Sequence, residues 1–192
     1  MIRHFHRRRR RWSLLAPGRY LLLLVVVYAC AFRFSAQTTV ADEYEIRAAM
    51  LFNLTKFIDW PASKMDTTHP DFYVCMLGSD PLGSDLDSVM QNKFVQGKPV
   101  IVRHLSSIDT ADSCNILYVG SSERSNVIRA SSQLAKNAVL TVSEKPNTDN
   151  HSQVIGLPAD ENHVRIEVNL AAAQQSGLTI SSRLLRLATV TH

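Results

Sequence analysis

Cysteines are the residues in this chain whose chemistry is simplest to predict. Of the three, Cys30 lies in an apolar stretch near the start, while Cys75 and Cys114 lie in the main part of the chain. An even pair of thiols in an oxidising compartment favours a disulfide, and two buried free thiols are the alternative. Two thiols without neighbouring histidines do not make a zinc site.

A pair of glycines has the G-x-x-x-x-G spacing of a phosphate-binding loop, namely Gly78 and Gly83. The motif needs a lysine and then a serine or threonine directly after the second glycine, where this chain has Ser84 and Asp85. Asp80 and Asp85 would also repel a phosphate. The segment therefore predicts a plain turn between a strand and a helix.

The histidines and serines form no recognisable catalytic pattern. No serine lies in a G-x-S-x-G motif. The histidines after residue 36 are scattered along the sequence: His69, His104, His151, His163 and His192. His151 and His163 would meet only across a hairpin, without a third metal ligand. The acidic cluster of Asp80, Asp85 and Asp87 lacks the spaced oxygen ligands of a calcium loop. We therefore expect no catalytic residue, no metal and no cofactor.

Residues 1–36 have the composition of a secretory signal peptide. Seven arginines and no acid lie in the first 19 residues, and an apolar block follows at 20–32. The block is shorter than the roughly 20 residues that span a bilayer as a helix. Small residues place the cleavage site after residue 31 or after residue 36. We expect general secretion into the periplasm and one domain at 37–192.

The leader has three alternative fates. A retained membrane anchor conflicts with the short apolar block. A lipoprotein modified at Cys30 conflicts with the bulky Tyr28 nearby, and a twin-arginine signal lacks its usual phenylalanine after the arginine run. General secretion fits the leader better than these three.

Removal of the leader reverses the sign of the net charge. Eight of the 21 basic residues lie in the first 36 positions and all 17 acids lie beyond them, so 13 basic residues face 17 acids in the rest, a net charge of −4. Nucleic-acid binding requires a clustered basic face. The main part of the chain has no such cluster, so we expect no nucleic-acid partner.

Hydrophobic patterning predicts an α/β domain. Residues 42–60 have the pattern of a helix that Pro61 ends, with apolar residues at helical spacing: Ile46, Met50, Leu51, Leu54, Phe57 and Ile58. Further strands are predicted at 72–77, 98–104, 115–119 and 138–142, and helices at 81–92 and 126–136. This order indicates a mostly parallel sheet with helices on both faces. Cys75 and Cys114 would then lie on neighbouring strands, which permits a bridge.

The last third of the chain has a different pattern. Residues 153–157 and 163–168 flank a polar turn and predict an antiparallel hairpin. Asn169 is suited to cap the next helix and Gly177 to end it. Ser181 or Ser182 is suited to cap a final helix bearing Leu184, Leu185 and Leu187, although a strand is the alternative there.

Two segments at opposite ends of the domain carry a family resemblance. The first contains Tyr44, Lys56, Phe57, Trp60 and Pro61, and the second contains Asn169, Gly177, Ser181, Ser182, Leu184, Leu185 and Arg186. Between them, segments 74–83, 114–120 and 139–143 follow in the family's order. From about residue 43 to 188 the chain resembles the YfiR-like family of small periplasmic regulators.

The resemblance implies a non-enzymatic function. Such a protein binds the periplasmic sensor domain of an inner-membrane diguanylate cyclase and holds the cyclase inactive. An outer-membrane lipoprotein can sequester the regulator, and a homodimer is expected from the family. Cys75 and Cys114 match one family disulfide. The family's second, C-terminal cysteine pair is missing, which leaves open whether redox regulation or only a structural bridge carries over.

The roles of the motif residues have alternatives. Phe57 and Trp60 are either an anchor for a partner or part of the core, and their place on the apolar stripe favours the core. Arg183 and Arg186 are either a binding patch or simply the solvated side of the last segment. The motif residues are thus predicted to be structural or partner-binding, not catalytic.

Three functions follow from these observations. The leading hypothesis is a periplasmic inhibitor of a membrane signalling enzyme. The second is a small-ligand sensor acting with a histidine kinase or a transport system, which a deep pocket would support. The third is a hydrolase, which titratable groups converging in a cleft would support.

Overall fold

The computed structural model describes residues 38–79, 81–145, 153–160 and 163–191 (of 38–42 and 160, the backbone only). The leader predicted at 1–36 lies outside these residues, as do Asp80, His151 and His192. The chain divides into two units, Met1–Thr38 and Thr39–His192, and the second contains the sheet.

The first helix is shorter at its end than the sequence predicts. Helix α1 spans Thr38–Leu54 and strand β1 spans Ile58–Asp59, so the single helix predicted at 42–60 is wrong beyond residue 54. The chain leaves the helix because the N–H groups of Thr55, Lys56 and Phe57 bond to carbonyls only three residues back. The Thr55 hydroxyl also donates to the Phe52 carbonyl, at 2.6 Å, which competes with continued helix.

The buried stripe of α1 is also displaced from the predicted one. Ile46 is 46 % exposed, whereas Arg47 is 5 % exposed and lies beside the buried Ala48 and Leu51. The arginine tolerates burial because Glu43 pairs with it at 2.5 Å, and its Nε donates to a backbone carbonyl at 3.4 Å. A charge on a core-facing position is acceptable only when it is paired in this way.

An eight-stranded sheet forms the centre of the domain. Its strands are β2 (Phe72–Leu77), β3 (Phe94–Val95), β4 (Lys98–Leu105), β5 (Ile116–Val119), β6 (Leu140–Ser143), β7 (Ile155–Gly156), β10 (Glu167–Asn169) and β12 (Thr189–Thr191). Their order is β12-β10-β7-β6-β5-β2-β4-β3. Helices α2 (Leu82–Met90) and α3 (Arg124–Lys136) connect strands of the sheet, near the predicted positions.

The central strands run parallel, as predicted. Strand β2 pairs with β4 on one side and with β5 on the other, in the register Val74↔Ile116. Strands β5, β6 and β7 continue the parallel pairing. The crossover that begins after β4 and returns beside β2 makes this a doubly wound sheet. The expected adjacency of the two cysteine-bearing segments is confirmed.

Two hydrophobic clusters cover the two faces of the sheet, because side chains alternate along a strand. Phe72, Val74 and Met76 of β2 belong to the larger cluster, which contains the buried residues of α1 and α2. Cys75 and Leu77 belong to the smaller cluster under α3. The prediction of helices on both faces is therefore confirmed.

The predicted C-terminal hairpin is confirmed in direction but not in continuity. Strand β10 pairs antiparallel with β7, with Val168 opposite Ile155. The segment between them forms a separate small ladder of β8 (Ala159–Asp160) and β9 (His163–Val164). Pro158 precedes this ladder and has no N–H to donate, which favours a break there.

The chain ends in short elements. Helix α4 (Leu170–Gln175) is followed by strand β11 (Thr179–Ile180), then by the single-turn helix α5 (Ser182–Leu185) and by β12. The predicted final helix is therefore present as one turn, and the alternative of a strand over the same residues is wrong. Leu187 lies outside the helix and is 75 % exposed.

Candidate functional site

The two motif segments meet in space. Strand β1 pairs antiparallel with β11, so that Ile58 is opposite Ile180 and Asp59 opposite Thr179. The Ser181 N–H donates to the Phe57 carbonyl at 2.8 Å. We call residues 56–61 together with residues 177–187 the terminal junction. It unites most of the residues that the sequence assigned to a motif.

Trp60 fixes the inner side of the terminal junction. It is 7 % exposed, and its indole N–H donates to the Asn115 carbonyl at 3.2 Å. Its ring meets the Phe72 ring edge to face, with centroids 5.1 Å apart. Trp60 is therefore a core residue with a satisfied polar group, as the apolar stripe favoured.

Asn115 is a structural residue to which the sequence patterns assigned no role. It is 3 % exposed and precedes β5. Its side-chain oxygen accepts from the Tyr73 N–H at 2.9 Å, and its own N–H donates to the Tyr73 carbonyl at 2.9 Å. Its carbonyl accepts the hydrogen bond from the Trp60 indole N–H. Asn115 therefore connects β2, β5 and the terminal junction. A polar residue at the start of an otherwise apolar strand was the available signal.

Caps and a turn shape the C-terminal part. The Asn169 side chain accepts from the Ala172 N–H at 2.9 Å and begins α4. Gly177 has φ +63°, a conformation that favours glycine, and follows the end of that helix. Ser181, rather than Ser182, caps α5, since its Oγ accepts from the Arg183 N–H at 3.2 Å. Asn169 and Gly177 thus occupy the predicted helix start and end.

The last motif residues divide into an inner and an outer set. Leu184 is 1 % exposed and Leu185 is half-buried. Arg183, Arg186 and Leu187 are exposed. We call these three residues the outer face of the terminal junction.

Of the remaining motif residues, three lie within the terminal junction, namely Pro61, Lys56 and Ser182, and Tyr44 lies farther along α1. Pro61 is half-buried and precedes a short 3-10 turn, Ala62–Lys64. Lys56 is exposed and its Nζ donates to Asn53 at 2.9 Å.

Tyr44 is half-buried near the start of α1, with the Arg47 guanidinium 5.4 Å from its ring centroid. Ser182 is exposed and begins α5.

Cys75 and Cys114 form a disulfide, with Cα atoms 5.9 Å apart. Both residues are 0 % exposed, within the cluster between the sheet and α3. The bridge ties the middle of β2 to the residue two positions before β5. Such a bond is typical of an oxidising compartment. Within the described residues, no helix is long and apolar enough to cross a membrane.

A groove lies beside the terminal junction at the amino ends of β5 and β6. It has a volume of about 460 Å³. Residues from four segments line it, among them Pro61, Lys64, His69, Asp112, Lys136 and Gly177. The sequence did not predict this groove, because its residues are far apart in the chain and match no motif.

Lys64 is the most perturbed charged group of the groove. The residue is 9 % exposed, and its Nζ donates to the Asp112 carbonyl at 2.8 Å. Burial lowers the pKa of its amine to about 8, against the opposing influence of the Asp112 carboxylate. Asp66 lies in the neighbouring turn, where hydrogen bonds from Thr68 and His69 lower the pKa of its carboxyl to about 2.

The carboxyl ends of β2 and β5 form a different surface. Gly78 has φ +90°, and a Cβ there would lie 2.8 Å from the Glu123 Cγ. The Gly120 N–H donates to the Leu77 carbonyl at 2.9 Å. The side chain of Glu123 thus fills the crevice where doubly wound sheets commonly bind ligands. Gly83 packs against His104, which supports the structural interpretation of the glycine pair.

The histidines that the structure describes are dispersed. His69 pairs with Asp66 at 2.9 Å, and His104 pairs with Asp87 at 3.1 Å. His163 begins β9. The described part of the chain contains no cluster of three or more His, Cys, Asp or Glu residues that could hold a metal ion.

Fold and site together define a single-domain, disulfide-bonded α/β protein whose two ends join at the amino edge of a mixed, mostly parallel sheet. No curated protein matches the chain significantly. The YfiR/HmsC-like family model matches residues 44–189, nearly all of the described domain, and the chain belongs to that family. The members of this family regulate diguanylate cyclases and are generally not catalytic.

Proposed function

We propose that this protein is a periplasmic, non-enzymatic regulator that binds and inhibits an inner-membrane diguanylate cyclase. Inhibition lowers cyclic-di-GMP and thereby biofilm formation. The observation that supports it best is the family match over residues 44–189. The buried disulfide supports an oxidising compartment. The arginine-rich leader in the sequence supports export across the inner membrane.

Inhibition by binding requires a difference in affinity. A cyclase with an active and an inactive state is shifted by a regulator only as far as the regulator binds one state more tightly. This protein would bind the inactive arrangement of the periplasmic sensor domain more tightly than the active one. Loss of the regulator then raises cyclase activity without any change in the cyclase itself.

The outer face of the terminal junction is the surface we assign to the cyclase. Leu187 exposes 75 % of its surface and directly follows Arg186, which is exposed, as is Arg183. A large apolar side chain bordered by arginine is a common composition for an interface centre. An outer-membrane lipoprotein would compete by covering this face, and a homodimer is a further expected assembly.

The first experiment measures intracellular cyclic-di-GMP after deletion of the gene. We expect a rise that an exported copy reverses and a leaderless copy does not. No rise under several growth and redox conditions would contradict cyclase inhibition. Reversal by the leaderless copy would instead contradict action from the periplasm.

The second experiment tests the surface. Leu187→Asp combined with Arg186→Ala should abolish complementation while changing the free energy of unfolding by less than about 0.5 kcal/mol, as is usual for exposed sites. Ile128→Asp is the matched control, because Ile128 is an exposed apolar residue of α3, at 42 % exposure. Equal complementation by both variants would remove the outer face from the proposal.

The groove supports a second candidate function. A periplasmic sensor for a small ligand, acting with a histidine kinase or a transport system, would need a pocket of this size. Cyclic-di-GMP that is unchanged by deletion, together with altered expression controlled by a neighbouring kinase, would favour this function over cyclase inhibition.

A further inference from the structure

Polar and charged side chains line the groove beside the terminal junction. Lys64 reaches it from the 3-10 turn after Trp60, and Asp112 reaches it from the segment before β5. Lys136 and Asn137 border it from the end of α3. Three separate parts of the chain therefore converge on one volume of about 460 Å³, which is within the range of small-molecule sites.

The amine of Lys64 is available for a ligand. Its acceptor among the described residues is the Asp112 carbonyl, at 2.8 Å. An ammonium group has three N–H bonds, so donors remain. The residue as a whole is 9 % exposed and burial lowers the pKa of its amine, so an anionic ligand would restore part of the interaction that burial removed.

The other charged groups around the groove favour a negative ligand. Lys136 and His69 lie on its lining with Lys64, and Asp112 is the acid among the lining residues. The Asp112 carboxylate accepts from the Gln133 amide at 3.1 Å, which partly satisfies it. The His69 imidazole already pairs with Asp66 at 2.9 Å, so two ammonium groups face one partly satisfied carboxylate.

We propose that this groove binds a small organic anion through a carboxylate group, held between Lys64 and Lys136. The volume accommodates a di- or tricarboxylate of central-metabolite size. Asn137 and Ser63, also on the lining, supply neutral hydrogen-bonding groups for the rest of the molecule. This inference does not depend on the identity of the membrane partner.

Binding should depend on pH in a defined direction. The pKa of the Lys64 amine is about 8 in the free protein, so its positive charge is lost as pH rises through that value. An anion beside it favours the protonated form and raises the pKa. Near pH 8, binding is therefore expected to take up a proton.

The test is isothermal titration calorimetry of the exported protein with citrate and with succinate. Erythritol, which is neutral and similar in size to succinate, is the matched probe. We expect saturable binding of at least one acid, none of erythritol, and proton uptake near pH 8 when buffers of different ionisation enthalpy are compared. Lys64→Gln and Lys136→Gln should each weaken binding by roughly tenfold or more.

Controls keep the result interpretable. Lys93→Gln removes an exposed lysine that does not line the groove and should leave binding unchanged. Lys136 is exposed, so its variant should fold even if Lys64→Gln does not. No saturable binding of either acid, or equal weakening by all three variants, would overturn the proposal.

Discussion

The two edges of the parallel strands have opposite construction. At the carboxyl edge the packing is tight. A Cβ added to Gly78 would lie 2.8 Å from the Glu123 Cγ, and a Cβ added to Gly120 would lie 3.1 Å from the Leu77 carbonyl oxygen. At the amino edge, Trp60 fills the space above Asn115, and an open groove lies beside it. The carboxyl edge is the usual ligand site of doubly wound sheets.

The fold alone therefore does not locate the candidate functional site. The sheet topology points to the crevice between β2 and β5, which packed side chains occupy. The motif segments lie on the other edge, where two short segments outside the central strands pair with each other as a separate two-stranded sheet. The functions proposed above rest on these segments rather than on the sheet topology, in agreement with the general separation of fold and function.

Replacement of Trp60 is expected to destabilise the amino edge more than any other change considered below. Trp60→Ala should lower the free energy of unfolding by about 3–5 kcal/mol, because a large buried ring leaves a cavity. Trp60→Phe should cost less, since it keeps the ring and loses the bond to the Asn115 carbonyl. Urea unfolding with the disulfide intact measures both. A loss under about 1 kcal/mol for the alanine variant would mean that Trp60 does not hold this edge.

The disulfide is the next largest contribution we expect. The double variant Cys75→Ser, Cys114→Ser should lose about 3–4 kcal/mol, because the bridge closes a loop over a sequence separation of 39 residues. Wild type should melt at a lower temperature after it is reduced while unfolded and then refolded. Identical melting of oxidised and reduced wild type would show that the bridge does not stabilise the domain.

The packed carboxyl edge can be tested with two glycines. Gly78→Ala should cost about 2–3 kcal/mol, because φ +90° strains an alanine and its Cβ would collide with Glu123. Gly97→Ala is the matched control, since Gly97 has φ +81° and no heavy atom within 4 Å of the added Cβ. The control should cost about 1 kcal/mol from strain alone. Equal losses would mean that the carboxyl edge has room.

The smallest expected effect concerns pH at the groove. The pKa of Lys64 is lowered from 10.5 to about 8 in the folded protein. Between these values the unfolded chain binds more protons, so the contribution of Lys64 to stability rises with pH. The free energy of unfolding of wild type should therefore increase relative to Lys64→Met as pH rises from 8 to 10.5. Lys93→Met, whose lysine lies on the surface, serves as the reference. A constant difference across this range would contradict the buried, perturbed amine.

Sequence patterns predicted β2 and β5 because each is a continuous apolar run that is almost completely buried. They failed at Arg47, whose burial depends on Glu43 and on Leu157, a residue far along the chain. No periodicity identifies a charged residue that is stabilised by distant partners.

The candidate site was predictable only in part. Asn169 and Gly177 were recognised, and Ser181 as one of two candidate caps, because caps and turns depend on local geometry. The pairing of β1 with β11 was not recognised, because a two-residue strand is too short to show a sequence pattern. Each of these strands is defined by its hydrogen bonds to the other. The groove at Lys64 was missed for the same reason, since Asp112 and Lys136 reach it through the tertiary fold.

The pairing of Ile58 with Ile180 has a consequence for how the molecule is made. A chain that emerges from the ribosome, or from a membrane channel, delivers residue 180 long after residue 58. Strand β1 therefore stays without its partner strand β11 until almost the whole domain is outside, and such late, long-range pairing is slow. A copy that stops before Thr179 would lack β11 permanently. We expect such truncated copies to be removed by proteolysis, so that completion of the last turn acts as a check on intact synthesis.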